Sequence, residues 1–291
     1  MHPAPSLIFF TALSGLGFGL LAWLGLGYPG VTSWTAFAFF ALGYGLAGAG
    51  LLASTFHLGH PERALKAFTQ WRSSWLSREA VLSVAALVVL APYALWLWLF
   101  ETRLAALGVA GAVLAAATVF STSMIYAQLR TVPRWHHWTT PALFLLYAAA
   151  GGALLAAQIV AAALLFVALA GVQILHWQTG DRRFRQSGST PETATGLGRI
   201  GRVRLLEPPH TGTNYLLREM VHQVGRRHAQ RLRMIALVAG GLAPALLLIA
   251  LPAGHAGAAL AVLVHLVGLF AARWLFFAEA EHVVGLYYGR R

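Results

Sequence analysis

The stretch from Ser54 to Ala80 reads STFHLGHPERALKAFTQWRSSWLSREA and gathers the densest set of reactive side chains in the sequence. His57 closes one apolar run and Glu79 opens the next, with His60, Glu62, Arg63, Trp71, Arg72, Trp75, Ser77 and Arg78 between them. An imidazole exchanges protons near neutral pH, and a partly buried carboxyl can be tuned to do the same. Together at a membrane boundary they suit a quinone, which needs apolar entry from lipid, hydrogen-bond partners for two oxygens and proton carriers that reach water. The same residue types also suit a plain interfacial loop. There Trp71 and Trp75 anchor among headgroups, Arg78 pairs with Glu79, and His57 caps a helix C-terminus. Residue types by themselves do not choose between these two.

The elements that must position these groups are apolar. Of 291 residues, 58% are hydrophobic and 10% charged, against roughly 25% charged in a soluble domain, which excludes a water-soluble globule. With about 20 residues needed per crossing, the runs predict spans near Ser6–Leu26, Trp34–Phe56, Glu79–Phe100, Leu104–Ile125, Pro141–Ala157, Val160–Trp177, Leu232–Leu251 and Gly257–Ala278. The fold expected is an all-α integral membrane protein, one membrane domain over residues 1–291 built as an eight-transmembrane-helix bundle. Pro141 to Trp177 carries no charge and is too long for one span, so a tight reversal is expected near Gln158. Met1 to Pro5 has no basic stretch and no small-residue cleavage site follows it, so the first run reads as a retained helix.

Charge gives orientation. Lys and Arg number 21 against nine acidic residues. With eight spans, Arg63, Lys66, Arg72, Arg78, Arg130, Arg134, eleven arginines from Arg182 to Arg233, Arg290 and Arg291 share the side of both termini, while Arg103 faces the other. The positive-inside rule then predicts an inner-membrane protein with both termini and the long loops in the cytoplasm. Topology explains this charge better than nucleic-acid binding does, so no nucleic-acid partner is expected. Residues 57–78 form one cytoplasmic loop, of the candidate quinone site. The longest, 178–231, holds RVRLLEPPHTGTNYLLREM, where Leu205, Leu206, Tyr215, Leu216, Leu217 and Met220 stand between arginines. It reads as a docking surface for a cytoplasmic partner, or else as a solvated loop facing lipid headgroups. There is no cysteine, so no covalently attached c-type haem or thiolate-held iron–sulfur cluster is expected in this chain.

Other ionisable groups are sparse. His176 and Gln173 lie near the inner end of the sixth span, and Tyr126, Gln128 and Arg130 follow the fourth. His265 in the eighth has no evident partner for a b-type haem and is expected to hydrogen-bond a neighbouring helix. Arg273, Glu279, Glu281 and His282 are expected to form a local charge network. Gly15, Gly19, Gly43, Gly45, Gly48 and Gly50 have helix-packing spacing, and Pro244 should bend the seventh span, its freed carbonyl satisfied by a neighbour.

Three segments carry a specific likeness: HPAPSLIFFTALSGLGFGLL from His2, the Ser54–Ala80 stretch, and LLEPPHTGTNYLLREM from Leu205. They resemble the dimethyl sulfoxide reductase anchor-subunit family, in particular its sulfite dehydrogenase (sulfite:quinone oxidoreductase) membrane subunits. The resemblance implies a membrane anchor for a four-cluster ferredoxin-like iron–sulfur subunit, which contacts a molybdenum bis-pterin catalytic subunit. The anchor would be quinone-reactive, with ubiquinone or menaquinone, and without haem. His57 and Glu79 match the family's quinol-site histidine and glutamate, and Arg63 a basic position in the connecting loop, with His60, Trp71, Arg72, Trp75 and Arg78 as neighbours. Cytoplasmic docking loops favour sulfite oxidation over an anchor of a dimethyl sulfoxide reductase oxidising menaquinol. A secondary transporter is the alternative of a different class, though transporters place polar sites near mid-membrane, whereas here the ionisable groups gather at one interface.

Overall fold

The computed structural model describes residues 1–56, 60–207, 209–221, 228–251 and 254–289, which are helical with connecting loops and contain no strand. Eight apolar helices dominate: α1 Pro5–Gly25, α2 Ser33–Thr55, α3 Trp75–Leu99, α4 Ala105–Ala127, α5 Thr139–Leu155, α6 Ile159–Gln186, α7 Ala229–Ala250 and α8 His255–Ala278. All but α5 are long and apolar enough to cross a membrane. At 17 residues, α5 is about 25 Å long at 1.5 Å per residue.

Local chemistry explains where helix and apolar run part company. α3 begins a turn before its apolar run because the Ser74 side chain accepts a hydrogen bond from the Ser77 amide, 3.4 Å, a helix N-cap. Trp75 and Arg78 therefore stand on its first turn rather than in the preceding loop. α6 runs on to Gln186, well past Trp177, taking the start of the 178–231 segment with it. Its polar last turns are held from outside: Arg183 Nη1 donates to the His136 carbonyl at 3.1 Å, and Asp181 is bonded by Arg134 and Arg233. The reversal between α5 and α6 takes three residues, with Ala157 at a positive φ of 54° and the Gln158 amide bonded to the Ala153 carbonyl at 2.8 Å.

α1 is the most enclosed of the long helices, packed against α2, α4 and α5 and touching α8. Because lipid is as apolar as leucine, helices in a membrane are held by close packing of small residues rather than by expulsion from water. Gly19 meets Ala148 and Gly152 backbone to backbone, and Gly268 of α8 meets Gly240 of α7 in the same way. Of the glycines singled out by spacing, Gly19, Gly43 and Gly50 pack against a neighbour, while Gly15, Gly45 and Gly48 face open space.

Outward faces carry Leu42, Val88, Leu164, Leu246 and Leu263, all exposed. Exposed Trp34 and Trp96 mark one end of the bundle, Trp71 and Trp138 the other, the placement expected of interfacial aromatics. The second end also gathers the chain's polar segments. The His2 amide donates to the Glu219 carbonyl at 2.7 Å, Asn214 Nδ2 to Tyr288 Oη at 2.9 Å, and Tyr287 Oη to the Ala194 carbonyl at 2.6 Å. Arg103, at the first end, donates to the Leu26 carbonyl.

Candidate functional site

The segment leading into α3 folds as a 3-10 helix, Pro61–Phe68, followed by a loop that Arg78 ties down. Arg78 Nε donates to the Trp71 carbonyl at 3.0 Å and Nη2 to the Arg72 carbonyl at 2.7 Å, while its guanidinium lies 4.3 Å from the Trp75 ring centroid. Arg72 lies over Trp71 at 5.5 Å. His60 Nδ1 is 2.9 Å from Glu62 Oε1, and Arg63 Nε 3.9 Å from the same oxygen, all three side chains being exposed. The expected site residues thus fall into two surface groups, His60 with Arg63 and Trp71–Arg72 with Trp75–Arg78. Arg78 clamps the loop instead of pairing with Glu79. His57 lies outside the described residues.

Glu79 belongs to neither group. One turn into α3, it is 4% exposed and faces α4, where the Thr122 hydroxyl bonds its Oε1. Thr122 Oγ1 also lies 3.1 Å from the Thr118 carbonyl. A hydroxyl has one hydrogen and two lone pairs. Toward an ionised Glu79, Thr122 donates; toward a protonated Glu79 it accepts, and donates to the Thr118 carbonyl instead. The carboxyl can therefore gain or lose a proton and keep a partner in either state, which a lone buried carboxyl could not.

Further polar side chains continue inward. Tyr126, one turn beyond Thr122, is 7% exposed and packs its ring against those of Trp135, Phe144, Phe276 and Phe277. Arg273 is 3% exposed, with its guanidinium 3.8 Å from the Phe144 ring centroid and 5.3 Å from that of Tyr147. Tyr147 Oη donates to Gln173 Oε1 at 3.1 Å. Near the end of the bundle that holds Met1, the Thr139 hydroxyl lies between two imidazoles, 2.9 Å from His176 Nδ1 and 2.8 Å from His137 Nδ1. The Thr139 amide points at His137 Nδ1, 3.4 Å, which makes that nitrogen the acceptor. The order is then His176 Nδ1–H to Thr139 and Thr139 O–H to His137. Burial, with the Arg183 charge added, lowers the His137 pKa.

The charge network expected at the end of α8 is present around Glu279, which is joined by Arg134, Asp181 and Arg233. Glu279, 6% exposed, is bonded by Arg233 Nε at 2.6 Å and faces Arg134 Nη1 at 3.6 Å. Both arginines also bond Asp181, Arg134 Nη2 at 2.6 Å and Arg233 at 2.7 and 2.9 Å. Two carboxylates and two guanidiniums, from α6, α7, the residue that caps α8 and the α4–α5 loop, thus alternate in one cluster. Arg273, six residues back and ~9 Å deeper along the helix, lies against the Phe144 and Tyr147 rings and lines the same small cavity as Arg134 and Glu279. His282 Nδ1 accepts from the Val284 amide at 3.0 Å. Burial and the nearby N-terminal ammonium lower its pKa.

Thr122, Arg134 and Asp181 were absent from the candidates drawn from sequence. For Thr122 a signal exists: Thr118, Thr122 and Tyr126 recur at four-residue spacing within an otherwise apolar helix, one polar stripe along α4.

An all-helical membrane protein with a buried carboxyl at one interface and polar loops gathered at that same end has the form of a membrane anchor with its functional groups on one side. Comparison with known proteins narrows this. Residues 1–176 match the family model for the DMSO reductase anchor subunit, and the chain belongs to that family. It is 34% identical over 323 aligned residues to the C subunit of the sulfite dehydrogenase of Allochromatium vinosum (strain ATCC 17899 / DSM 180 / NBRC 103801 / NCIMB 10441 / D), the match covering 99% of each chain. No solved structure matches. The protein is therefore an integral, multi-pass membrane anchor of a molybdoenzyme complex, which sets the transporter reading aside.

Proposed function

We propose that this chain is the quinone-reactive anchor of a sulfite:quinone oxidoreductase, with α5 as an eighth crossing and the Glu79 end of the bundle in the cytoplasm. The observation that carries the reading is Glu79 itself: a carboxyl buried at a membrane interface, with a hydroxyl partner that serves both of its protonation states. Sulfite oxidation as the partner reaction is supported by the Allochromatium vinosum relative, a sulfite dehydrogenase component matched from end to end. An inward charge bias also supports the cytoplasmic side.

In this reading the quinone is a substrate drawn from the bilayer. Sulfite and water become sulfate, two protons and two electrons at the catalytic partner. An iron–sulfur partner, seated on the 178–231 segment, delivers the electrons, and the quinone takes up two protons as it accepts them. Glu79 hands over a proton on its α3 side and is kept bonded throughout by Thr122. His57 serves the other quinone oxygen, and Arg63, exposed nearby in sequence, orients or polarises the ring. Trp71, Arg72, Trp75 and Arg78 hold the loop that borders the entry, with His60 beside them.

The test uses the whole complex. Glu79→Gln and His57→Gln should each lower quinone-linked sulfite oxidation about 100-fold, with dye-linked oxidation by the partner subunits unchanged. Unchanged quinone kinetics in both variants would refute the site, and quinol-linked sulfoxide reduction without sulfite oxidation would reassign the substrate.

A further inference from the structure

Two runs of hydrogen bonds approach each other inside the bundle and stop short of meeting. On one side the Tyr147 hydroxyl donates to Gln173 Oε1 at 3.1 Å, which leaves the amide nitrogen of Gln173 as a donor without a partner among the described residues. On the other, His176 Nδ1–H donates to Thr139 at 2.9 Å and Thr139 O–H to His137 at 2.8 Å. A neutral imidazole that carries its hydrogen on Nδ1 presents a lone pair at Nε2. Gln173 and His176 are both buried and stand three residues apart on α6, hence on one face of it. A donor and an acceptor therefore lie on adjacent turns, and neither is bonded to the other.

Both side chains border a small cavity between α5, α6 and α8, shared with Tyr147, Trp177, Ala272 and Phe276. The guanidiniums of Arg134 and Arg273 and the carboxylate of Glu279 border it too. About 10 Å³ of it is open to the centre of a water-sized sphere, about what a single water needs and far below the ~150 Å³ that takes benzene. Among the described residues, the buried side-chain nitrogens sealed off without a partner are Arg134 Nη1, Arg183 Nε, His265 Nε2 and Arg273 Nε. His176 Nε2 and the Gln173 amide nitrogen are not of that kind. Each lacks a partner yet keeps an open face, and the space their side chains share is this cavity. Buried polar groups in native proteins are seldom left unpaired, and ordered water commonly completes them.

We propose that the cavity holds one tightly bound water, which accepts from the Gln173 amide and donates to His176 Nε2. With it in place every link from Tyr147 through Gln173, the water, His176 and Thr139 to His137 donates in the same sense. Bonds aligned in this way polarise and strengthen one another. The neighbours select a neutral occupant: an anion would face the His176 lone pair and the Glu279 carboxylate, and a metal ion would face the Arg134 and Arg273 charges. The water shares no residue with the Glu79 site and does not depend on that site's assignment. It is a positioning water, which locks α5 to α6 through their side chains from Tyr147 out to the His137 interface.

The experiment is X-ray radiolytic labelling of the intact complex in lipid nanodiscs after rapid mixing into ¹⁸O-water, read by mass spectrometry of its peptides. Radicals formed from a trapped water mark the side chains beside it, where bulk solvent does not reach. His176 and Phe276 should be labelled, at least tenfold above Phe166, which is also buried but stands away from the cavity. Their uptake of ¹⁸O should lag that of exposed Trp138 at least tenfold. Gln173→Met removes the donor, and Ala272→Val fills the cavity; each should lower the labelling about tenfold, while Ala272→Gly, which widens the cavity, should keep it. Labelling no greater than that of Phe166, ¹⁸O uptake as fast as at Trp138, labelling that survives Gln173→Met or is lost in Ala272→Gly, or its displacement by added bromide overturns the proposal.

Discussion

Glu79 of α3 and Thr122 of α4 meet inside the bundle, carboxyl to hydroxyl, one helical turn from the interface. This contact turns a costly intramembrane carboxylate into a group with a partner in either protonation state. It also makes Thr122 separable from Glu79 by experiment.

Thr122→Val should lower quinone-linked turnover about tenfold, the equivalent of about 1.4 kcal/mol, while Thr122→Ser restores it. Dye-linked activity of the partner subunits should be unaffected in both. Stopped-flow kinetics of quinone reduction in membranes check this; equal loss in Val and Ser variants would show that packing, not the hydroxyl, matters.

The Arg134–Asp181–Arg233–Glu279 cluster predicts unequal losses. Removing one member of a buried ion pair costs about 3–5 kcal/mol, reduced where water reaches the pair. Glu279→Gln, at a site 6% exposed, should destabilise the protein by about 2–3 kcal/mol, and Asp181→Asn, at one 46% exposed, by less than half that. Thermal unfolding in detergent gives the order, and a double-mutant cycle with Arg233→Met gives the coupling.

Glycine substitutions should divide by neighbour. Gly268→Ala would place its methyl in the Gly240 backbone and should cost about 3 kcal/mol or more, as overpacking does, seen as loss of folded protein in the membrane. Gly45→Ala, which meets nothing, should be silent.

His137 supplies a pH test. Its pKa is lowered on folding by burial and by Arg183, so the folded protein resists its protonation. That contribution to stability is complete above the ordinary imidazole pKa of about 6.5, shrinks as pH falls below it, and is gone once pH has passed the folded value. Melting temperature measured from pH 8 to pH 5 should fall less steeply in His137→Gln than in the unmodified protein.

The spans were legible because some 20 consecutive apolar residues have few alternatives, and the α5–α6 reversal because an uncharged run can be too long. Pairings were less so. Glu279 was grouped with Arg273 of the same helix, whereas its ion-pair partners come from Arg134 and Arg233, far away in sequence. The polar end of α6 looked like loop because Asp181 and Arg183 are stabilised by residues that periodicity cannot reveal. Glu79 was identified by type and position, yet its hydroxyl partner stands 43 residues away. His265 was expected to bond a neighbouring helix, and it does so at the Gly240 carbonyl of α7.

The enclosure of α1 has a consequence for biogenesis. As the first of these helices to leave the ribosome, it packs against α2 almost at once, but its contacts with α5 and α8 must wait until those helices are made. Until then its small-residue faces meet only lipid or the insertion machinery. Chains that stall before α8 should therefore present that unfinished surface to quality-control proteases.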